Sequence, residues 1–283
     1  MKKIIIVGMD FSEGAENALN YAITIANELM ANVLMVWVDK EKTSSSIYTG
    51  IPHDPRLEVK KRFEELIESR KEDLSGGKFM YKIRSGKVHK EIANQAKYHD
   101  AYMVVAGTHG TSGFEEFWIG SSAYRIVTYS PCPVITLRYG ESAKRKIKKI
   151  VLPVDSTRQT RQKLPFAMKL ASVFDAEIII LGLFSTLGTA VKMLVNGYID
   201  QSAKYLKENN VRYRIEKRDT SNLTDTTIEF AREEDADLIA IMTEQETTTA
   251  NLLMGPFAQQ MVNHSPIPVL SIRPRNLYDH LVD

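Results

Sequence analysis

The sequence predicts an α/β protein made of two similar doubly wound domains, each a mostly parallel five-stranded sheet with helices on both faces. Two observations carry this prediction: short β-branched runs alternate with longer segments of helical period, and the whole pattern occurs twice in 283 residues. Strands separated by helices must be joined by crossovers, which produce a parallel sheet. The chain is also long enough for two domains that each bury a core.

The duplication appears as a constant offset between the halves. Four pairs of identical residues are each 135 positions apart: Gly120 and Gly255, Pro131 and Pro266, Pro133 and Pro268, Arg138 and Arg273. The N-terminal ends also match, since residues 2–10 resemble 148–155 and their final aspartates, Asp10 and Asp155, are 145 positions apart. Repetition at a fixed offset indicates internal duplication. We therefore expect domains at 1–140 and 147–275, with a polar hinge at 140–146.

The first half opens with a continuous apolar run at residues 3–8, which is typical of a parallel strand buried on both faces. Ser12 can cap the helix that follows, whose alanines and leucines recur on one face. The stretch 43–55 is interpreted as a connecting loop, with a mobile lid as the alternative. The other predicted elements are strand 33–38, helix 56–70, strand 79–83, helix 89–97, strand 102–106, helix 121–129 and strand 134–137.

The second half repeats this order of strands and helices. Its predicted elements are strand 150–154, helix 164–174, strand 177–184, a helix within 189–208, strand 211–216, helix 225–234, strand 238–242, helix 257–263 and strand 269–272. Each crossover again favours a parallel sheet.

Composition limits the possible functions. A net charge of +2 is too small to indicate a nucleic-acid partner by itself. No apolar stretch approaches the roughly 20 residues that cross a bilayer, and the N-terminus leads directly into a strand, so we expect a cytoplasmic protein without a membrane partner. The single cysteine, Cys132, is interpreted as a core residue, not a nucleophile. The histidines show no metal-ligand spacing, and no metal site is predicted.

The most informative segment is residues 107–122, GTHGTSGFEEFWIGSS. Its glycines follow a predicted strand and suit a backbone that turns sharply and approaches a ligand closely. Ser121 and Ser122 then open a helix, whose free N–H groups and positive dipole end favour an anion such as phosphate. Spacing alone leaves a phosphate site and a simple turn with a helix cap equally open. The chain has no G-x4-G-K-[ST] motif and no G-x-G-x-x-G after its first strand.

The pattern G-x2-G-x9-G-[ST] at Gly107, Gly110, Gly120 and Ser121 resembles that of the universal stress protein family. Asp10 and Ser12 after the first strand, and the closing SPCPVITLR, extend the resemblance over nearly the whole chain as a tandem of two domains. It implies the Rossmann-like fold of the adenine nucleotide alpha hydrolase type. It also implies that ATP or AMP binds in the first domain, with Mg²⁺ as an optional companion. Asp10 and the backbone near Val38 would lie at the adenosine end, and the ribose and phosphates would be lined by Gly107, His109, Gly110, Gly120, Ser121 and Ser122.

The chain departs from the family pattern in two places. Thr111 stands where many relatives have an arginine or lysine, which implies weak discrimination between ATP and AMP. In the second half, the positions equivalent to Gly107, Gly110 and Ser121 hold Met242, Gln245 and Pro256, and two glutamates, Glu244 and Glu246, lie nearby. These changes oppose anion binding. We therefore expect the second domain to be a pseudo-symmetric partner, with the last strands meeting near Ile135 and Leu270, as in family dimers.

The expected function is nucleotide-dependent signalling or survival under stress, exerted on an unidentified signalling protein, with ATP hydrolysis slow or absent. The alternative is an adaptor that acts by protein contact without nucleotide. A third class, an adenylating or pyrophosphatase-like enzyme of related fold, is less favoured because residues 8–12, GMDFS, lack paired glycines. No paired acid and base for dedicated hydrolysis is apparent near Asp10. Association of two chains into a homodimer stays open.

Overall fold

The computed structural model describes residues 2–39, 55–108, 121–138, 146–185, 188–243, 245–248 and 251–274. In the first half, strands and helices alternate as the sequence predicts. The strands are β1 (Ile4–Gly8), β2 (Asn32–Asp39), β3 (Phe79–Ser85), β4 (Met103–Gly107) and β5 (Val134–Leu137). The helices are α1 (Glu13–Leu29), α2 (Pro55–Arg70), α3 (Val88–Tyr98) and α4 (Ser121–Tyr129). The expected loop or lid at 43–55 lies outside the described residues, except Pro55, which opens α2.

The second half repeats the order and adds one hairpin. Its strands are β6 (Lys149–Val154), β7 (Glu177–Phe184), β8 (Tyr213–Asp219), β9 (Leu238–Met242), β10 (Gln245–Thr248), β11 (Asn251–Met254) and β12 (Val269–Ile272). Its helices are α5 (Leu164–Phe174), α6 (Thr189–Glu208), α7 (Leu223–Glu233) and α8 (Pro256–His264). Strands β10 and β11 form an antiparallel pair that the sequence analysis did not predict. The predicted hinge at 140–146 lies outside the described residues except for Lys146.

The two five-stranded sheets join into a single sheet of ten strands, in the order β3-β2-β1-β4-β5-β12-β9-β6-β7-β8. Within each half all strand pairs of this ten-stranded sheet are parallel, and the two halves meet where β5 and β12 pair antiparallel. Leu270 is opposite Ile135 in that pair, so the expected meeting of the last strands is confirmed. The strand order of one half mirrors the other, as an approximate two-fold axis between β5 and β12 requires.

The core consists of two apolar layers, one on each face of this sheet. Ile5 and Ile6 are both fully buried but belong to opposite layers, because successive side chains of a strand point to opposite faces. Apolar side chains of α1, α2, α5 and α6 contribute to one layer, and those of α3, α4, α7 and α8 to the other. Each layer runs through both halves, so the doubly wound fold is confirmed with one continuous sheet at its centre.

Two arginines reinforce the junction with matching contacts. Arg138, which follows β5, donates to the carbonyl of Asn263 in α8. Its counterpart Arg273, which follows β12, donates to the carbonyl of Ser130 just after α4, at 3.3 Å. Carbonyls at a helix C-terminus lack intrahelical partners, so each guanidinium satisfies one and also faces the negative end of the helix dipole. Burial lowers the pKa of both arginines.

The described helices include none that is long and apolar enough to span a bilayer.

Candidate functional site

The strand order locates a crevice in the first half. β1 lies between β2 and β4, and the chain moves outward from β1 through β2 to β3 before crossing back to β4. Helix α1, after β1, and helix α4, after β4, lie on opposite faces of the sheet. The carboxyl ends of β1 and β4 therefore border a topological switch point, where open α/β sheets bind their ligands.

Asp10 lies at this crevice in a tight hydrogen-bonded turn. Its Oδ1 accepts from the backbone N–H of Ser12 at 3.0 Å and from the Ser12 hydroxyl at 2.5 Å. The Ser12 oxygen in turn accepts from the N–H of Ala15 at 3.3 Å and caps α1, as the sequence predicts. Oδ2 of Asp10 accepts no hydrogen bond from any described residue, and Asp10 is exposed. One carboxylate oxygen thus orients the side chain and the other is available as an acceptor.

Val38 lies on β2, the strand next to β1, two residues beyond the last residue pair of the β1–β2 ladder. That ladder closes with Gly8 opposite Val36 and with the N–H of Met9 donating to the Val36 carbonyl at 2.9 Å. Peptide groups of residues two apart in a strand point to the same side. The N–H and C=O of Val38 therefore point towards β1 at a level where β1 has already turned away at Asp10.

Gly107 ends β4 on the other side of β1, and its lack of a side chain has a packing cause. A Cβ built there would lie 2.5 Å from the carbonyl oxygen of Gly14, in the first turn of α1. The close approach of α1 to β4 therefore requires glycine at this position. Next along the chain, the N–H of Thr108 donates to the Leu137 carbonyl at 3.0 Å. His109, Gly110 and Gly120 lie outside the described residues, and their predicted roles stay predictions.

Helix α4 begins at Ser121, with half-buried Ser122 in its first turn. Its apolar side chains, Ala123, Ile126 and Val127, are buried against the sheet, so the direction of the helix axis is set by packing. The first N–H groups of a helix lack intrahelical acceptors and carry a partial positive charge. This end of α4 follows the 109–120 segment that leads out of β4, and it can hold an anion.

The second half keeps the aspartate turn but not the helix start. Oδ1 of Asp155 accepts from the N–H of Thr157 at 2.9 Å and from its hydroxyl at 2.6 Å, as Asp10 does with Ser12. Helix α1 starts three residues after its aspartate, whereas α5 starts nine residues after Asp155. Both helices end in left-handed residues, Met30 and Asp175, again 145 positions apart, so no insertion explains the difference.

Residues 158–163 form turns in place of the helix start. The N–H of Thr160 donates to the Thr157 carbonyl, that of Gln162 to the Gln159 carbonyl, and that of Leu164 to the Arg161 carbonyl, at 3.1, 2.8 and 3.0 Å. All three bonds span three residues, as in a 3₁₀ helix, where an α-helix would span four.

The replaced residues explain why this helix start recedes. Met242 stands at the position of Gly107, and its buried side chain shares a core layer with Leu164. In the first half, even a methyl group there would collide with the α1 backbone. The position of Ala18 holds Lys163, which is buried and donates to the carbonyl and hydroxyl of Thr160 at 2.6 and 3.1 Å. Met242 and Lys163 together exclude the close packing of helix on strand that borders the crevice of the first half.

Strands β10 and β11 stand where the second half would need its glycine loop. They pair from Gln245 with Met254 to Thr248 with Asn251. β11 contacts α4 of the first half, and the N–H of Met254 donates to the Tyr124 hydroxyl at 3.3 Å. The segment equivalent to the glycine loop of the first half is therefore an antiparallel hairpin that contacts the other half.

Cysteine and histidine often act in catalysis, and three described residues of these types in the first half have shifted pKa values. Burial raises the pKa of the Cys132 thiol to about 11, so it is protonated at neutral pH and is a poor nucleophile. Burial is also the main cause of the lowered pKa of His89 and His99, on and just after α3. Across the described ranges, no three His, Cys, Asp or Glu side chains cluster closely enough to hold a metal ion.

Comparison with known proteins agrees with the fold and the duplication. The model of the universal stress protein family matches residues 1–138 and 146–273, so the chain belongs to this family as a two-domain member. Universal stress protein YxiE of Bacillus subtilis is 32% identical over 145 residues, which are 47% of this chain and 97% of that protein. Universal stress protein MJ0531 of Methanocaldococcus jannaschii is 30% identical over 146 residues, which are 48% of this chain and 82% of that protein.

Solved structures of similar length share the architecture of the whole chain. A universal stress protein from Archaeoglobus fulgidus superimposes with a TM-score of 0.72 at 14% identity, over 96% of this chain and 97% of that one. The protein PA1789 from Pseudomonas aeruginosa, described as functionally unknown, superimposes with a TM-score of 0.68 at 16% identity, over 99% and 95%. At these identities the likeness establishes the fold.

Proposed function

We propose that this member of the universal stress protein family binds one adenine nucleotide, ATP or AMP, in its first half and acts in stress response or signalling. The observation that carries the proposal is the crevice at the switch point. There the anchored carboxylate of Asp10 lies just beyond β1, the strand next to β4, and the chain after β4 leads to the N-terminus of α4. An acceptor for hydroxyl groups and a positive helix end for phosphates are what a nucleotide needs at its two ends.

At the adenosine end, we assign the base to the backbone of Val38 and the ribose to Asp10. A peptide N–H and C=O that point in the same direction match the acceptor and amino donor on the edge of adenine. The open oxygen of Asp10 accepts from a ribose hydroxyl, the role that an acidic residue has in classical dinucleotide sites. The nucleotide would thus lie across the carboxyl ends of β2 and β1.

At the phosphate end, we assign the anion to the first turn of α4, at Ser121 and Ser122, together with Gly107, His109, Gly110 and Gly120. With Thr111 in place of a cation, the loop offers hydrogen-bond donors but little charge, so affinities for ATP and AMP should be close. Mg²⁺ would come with the triphosphate, since the described residues provide no acidic cluster for a separate ion.

The second half acts as a pseudo-symmetric structural partner in this proposal. In the second half, Met242 stands in place of Gly107, Lys163 in place of Ala18, and the β10–β11 hairpin in place of the glycine loop. We therefore expect one nucleotide per chain. We place the domain limits at 1–140 and 147–275. A signalling protein that reads the nucleotide state, and association of two chains into a homodimer, belong to the same proposal. Hydrolysis would be slow or absent, because the sequence shows no paired acid and base for dedicated hydrolysis near Asp10.

The first test is mass spectrometry of small molecules released by denaturing freshly purified protein, followed by calorimetric titration of ATP and AMP into the emptied protein. Retained or titrating adenine nucleotide, at about one per chain, would support the proposal. Absence of binding by either nucleotide would contradict it and favour the adaptor that works by protein contact.

A variant series then locates the site. Gly110→Val and Gly120→Val should abolish binding with the fold intact, because a branched side chain obstructs a loop that must approach the ligand closely. Gly255→Val is the matched control, since it occupies the position of Gly120 in the second half and has an ordinary φ of −61°. Unchanged affinity in both first-half variants would refute the assignment of the phosphate end.

A further inference from the structure

The residue between Asp10 and Ser12 has an unusual backbone. Phe11 has a φ of 60°, in the left-handed region that bulky side chains rarely adopt. Its counterpart in the second half, Ser156, does not have a positive φ. Yet Asp155 and Thr157 make the same two hydrogen bonds as Asp10 and Ser12. The turn itself therefore does not require the left-handed conformation.

Two side chains of α2 hold the Phe11 ring, and we call Arg62 and Phe63 the Phe11 clamp. The Phe63 ring lies 4.9 Å from that of Phe11 at an angle of 53°. The guanidinium carbon of Arg62 lies 4.1 Å from the centre of the Phe11 ring, within the range of a cation–π contact. Phe63 is fully buried and stacks on Tyr81 of β3 at 4.8 Å, which fixes the clamp to the sheet.

We propose that Phe11 is a positioning residue of the nucleotide site: the clamp holds its backbone left-handed, and this conformation directs the Asp10 carboxylate at the ribose. The inference rests on the proposed function, since it assigns a determinant of affinity to the same site. Both hydrogen bonds that orient Asp10 span Phe11, and the second half forms the same two bonds without a positive φ, so the left-handed conformation of Phe11 sets the direction of the carboxylate relative to α1 and not the presence of the bonds. Strained residues persist where their surroundings over-determine them, typically at ligand sites.

The first experiment varies Phe11 and compares two ligands, AMP and 2′,3′-dideoxyadenosine 5′-monophosphate, by calorimetry. Phe11→Ala should weaken AMP binding about tenfold, because alanine returns to negative φ and only about one chain in ten would keep the competent turn. Phe11→Gly should recover most of the loss, because glycine adopts positive φ without cost. The dideoxy analogue offers no hydroxyl to Asp10, so its affinity should stay unchanged throughout. Equal weakening of both ligands would overturn the proposal and indicate a purely structural role.

A double-mutant comparison tests the clamp itself. Phe63→Leu should weaken AMP binding in the natural background, where the ring must be held, and should have no effect in the Phe11→Gly background. The matched control is Ser156→Gly in the second half, which should leave AMP affinity unchanged. An equal loss from Phe63→Leu in both backgrounds would overturn the role of the clamp.

The proposal can be tested even if no nucleotide binds. Crystal structures of the natural protein and of Phe11→Ala report φ at residue 11 without a ligand. We expect a positive φ in the natural protein, and a negative φ with a redirected Asp10 carboxylate in Phe11→Ala. A positive φ in Phe11→Ala would overturn the role of the clamp, whereas failure of AMP and ATP to bind the natural protein would overturn the proposed function alone.

Discussion

Gly107→Ala is the sharpest test of the packing that forms the crevice, because the added Cβ, which is fixed to the β4 backbone, would collide with the backbone of α1. The new Cβ would lie 2.5 Å from the Gly14 carbonyl oxygen and 2.8 Å from its carbonyl carbon. No side-chain rotation can relieve these contacts, so β4 or the first turn of α1 must shift by roughly half an ångström or more. Overpacking of this kind costs about 1–3 kcal/mol.

A smaller opposing effect must be subtracted. Replacing glycine by alanine restricts the unfolded chain and stabilises by about 0.4–1 kcal/mol where the native backbone accepts it. We therefore expect Gly107→Ala to lower the free energy of unfolding by about 1–2 kcal/mol and to weaken AMP binding, since the displaced turn carries the Asp10–Ser12 hydrogen bonds.

The assay is urea denaturation followed by circular dichroism, with Gly197→Ala as the matched control. Gly197 lies inside α6, and a Cβ there meets nothing within 4 Å. This control should raise the free energy of unfolding by about 0.5–1 kcal/mol, because alanine favours a helix interior over glycine. The packing argument is refuted if Gly107→Ala is as stable as the natural protein, or if both variants change stability in the same direction.

Two further predictions concern the second half and the thiol. The triple change Gln159→Gly, Lys163→Ala and Met242→Gly, which installs the residues of the first half, should extend α5 towards residue 158 and slow amide exchange across 158–163; unaltered exchange in a folded variant would contradict the packing explanation. At neutral pH, Cys132 should react with iodoacetamide about a hundredfold more slowly in folded than in urea-unfolded protein, because its pKa rises from 9.0 to about 11. The same shift makes the folded state lose stability as pH rises from about 9 towards 11, and comparable alkylation of both states would count against it.

Much of the architecture could be predicted because it depends on local patterns. Continuous apolar runs predicted the parallel strands, and the resemblance to family dimers implied that the halves would meet near Ile135 and Leu270, which the β5–β12 pair confirms. Ser12 was recognisable as a helix cap from its neighbours alone. In the candidate site, helix α4 starts at Ser121 as the sequence predicts, while the binding roles of Asp10 and of the glycine loop stay predictions.

The features that escaped prediction depend on contacts between residues far apart in sequence. The late start of α5 depends on Met242, nearly 80 positions further along the chain. The positive φ of Phe11 depends on the Arg62 and Phe63 side chains, about 50 positions away. The hairpin of β10 and β11 shows no clear apolar alternation in its first strand, QETT, so periodicity gave no signal for it. In each case tertiary packing overrides the local pattern.

Comparison of the two halves separates the residues that the junction between them requires from the residues that the crevice requires. The contacts at the junction are symmetric, because Arg138 and Arg273 each donate to a backbone carbonyl at the C-terminal end of a helix in the other half. The crevice is not symmetric, since Gly107 and Met242 impose different helix starts after two aspartate turns that make the same hydrogen bonds. Mutual burial of β5 and β12 needs both halves to keep the same edge, whereas a ligand site needs only one intact copy. The second half still contacts helix α4 of the first half, because the N–H of Met254 donates to the Tyr124 hydroxyl.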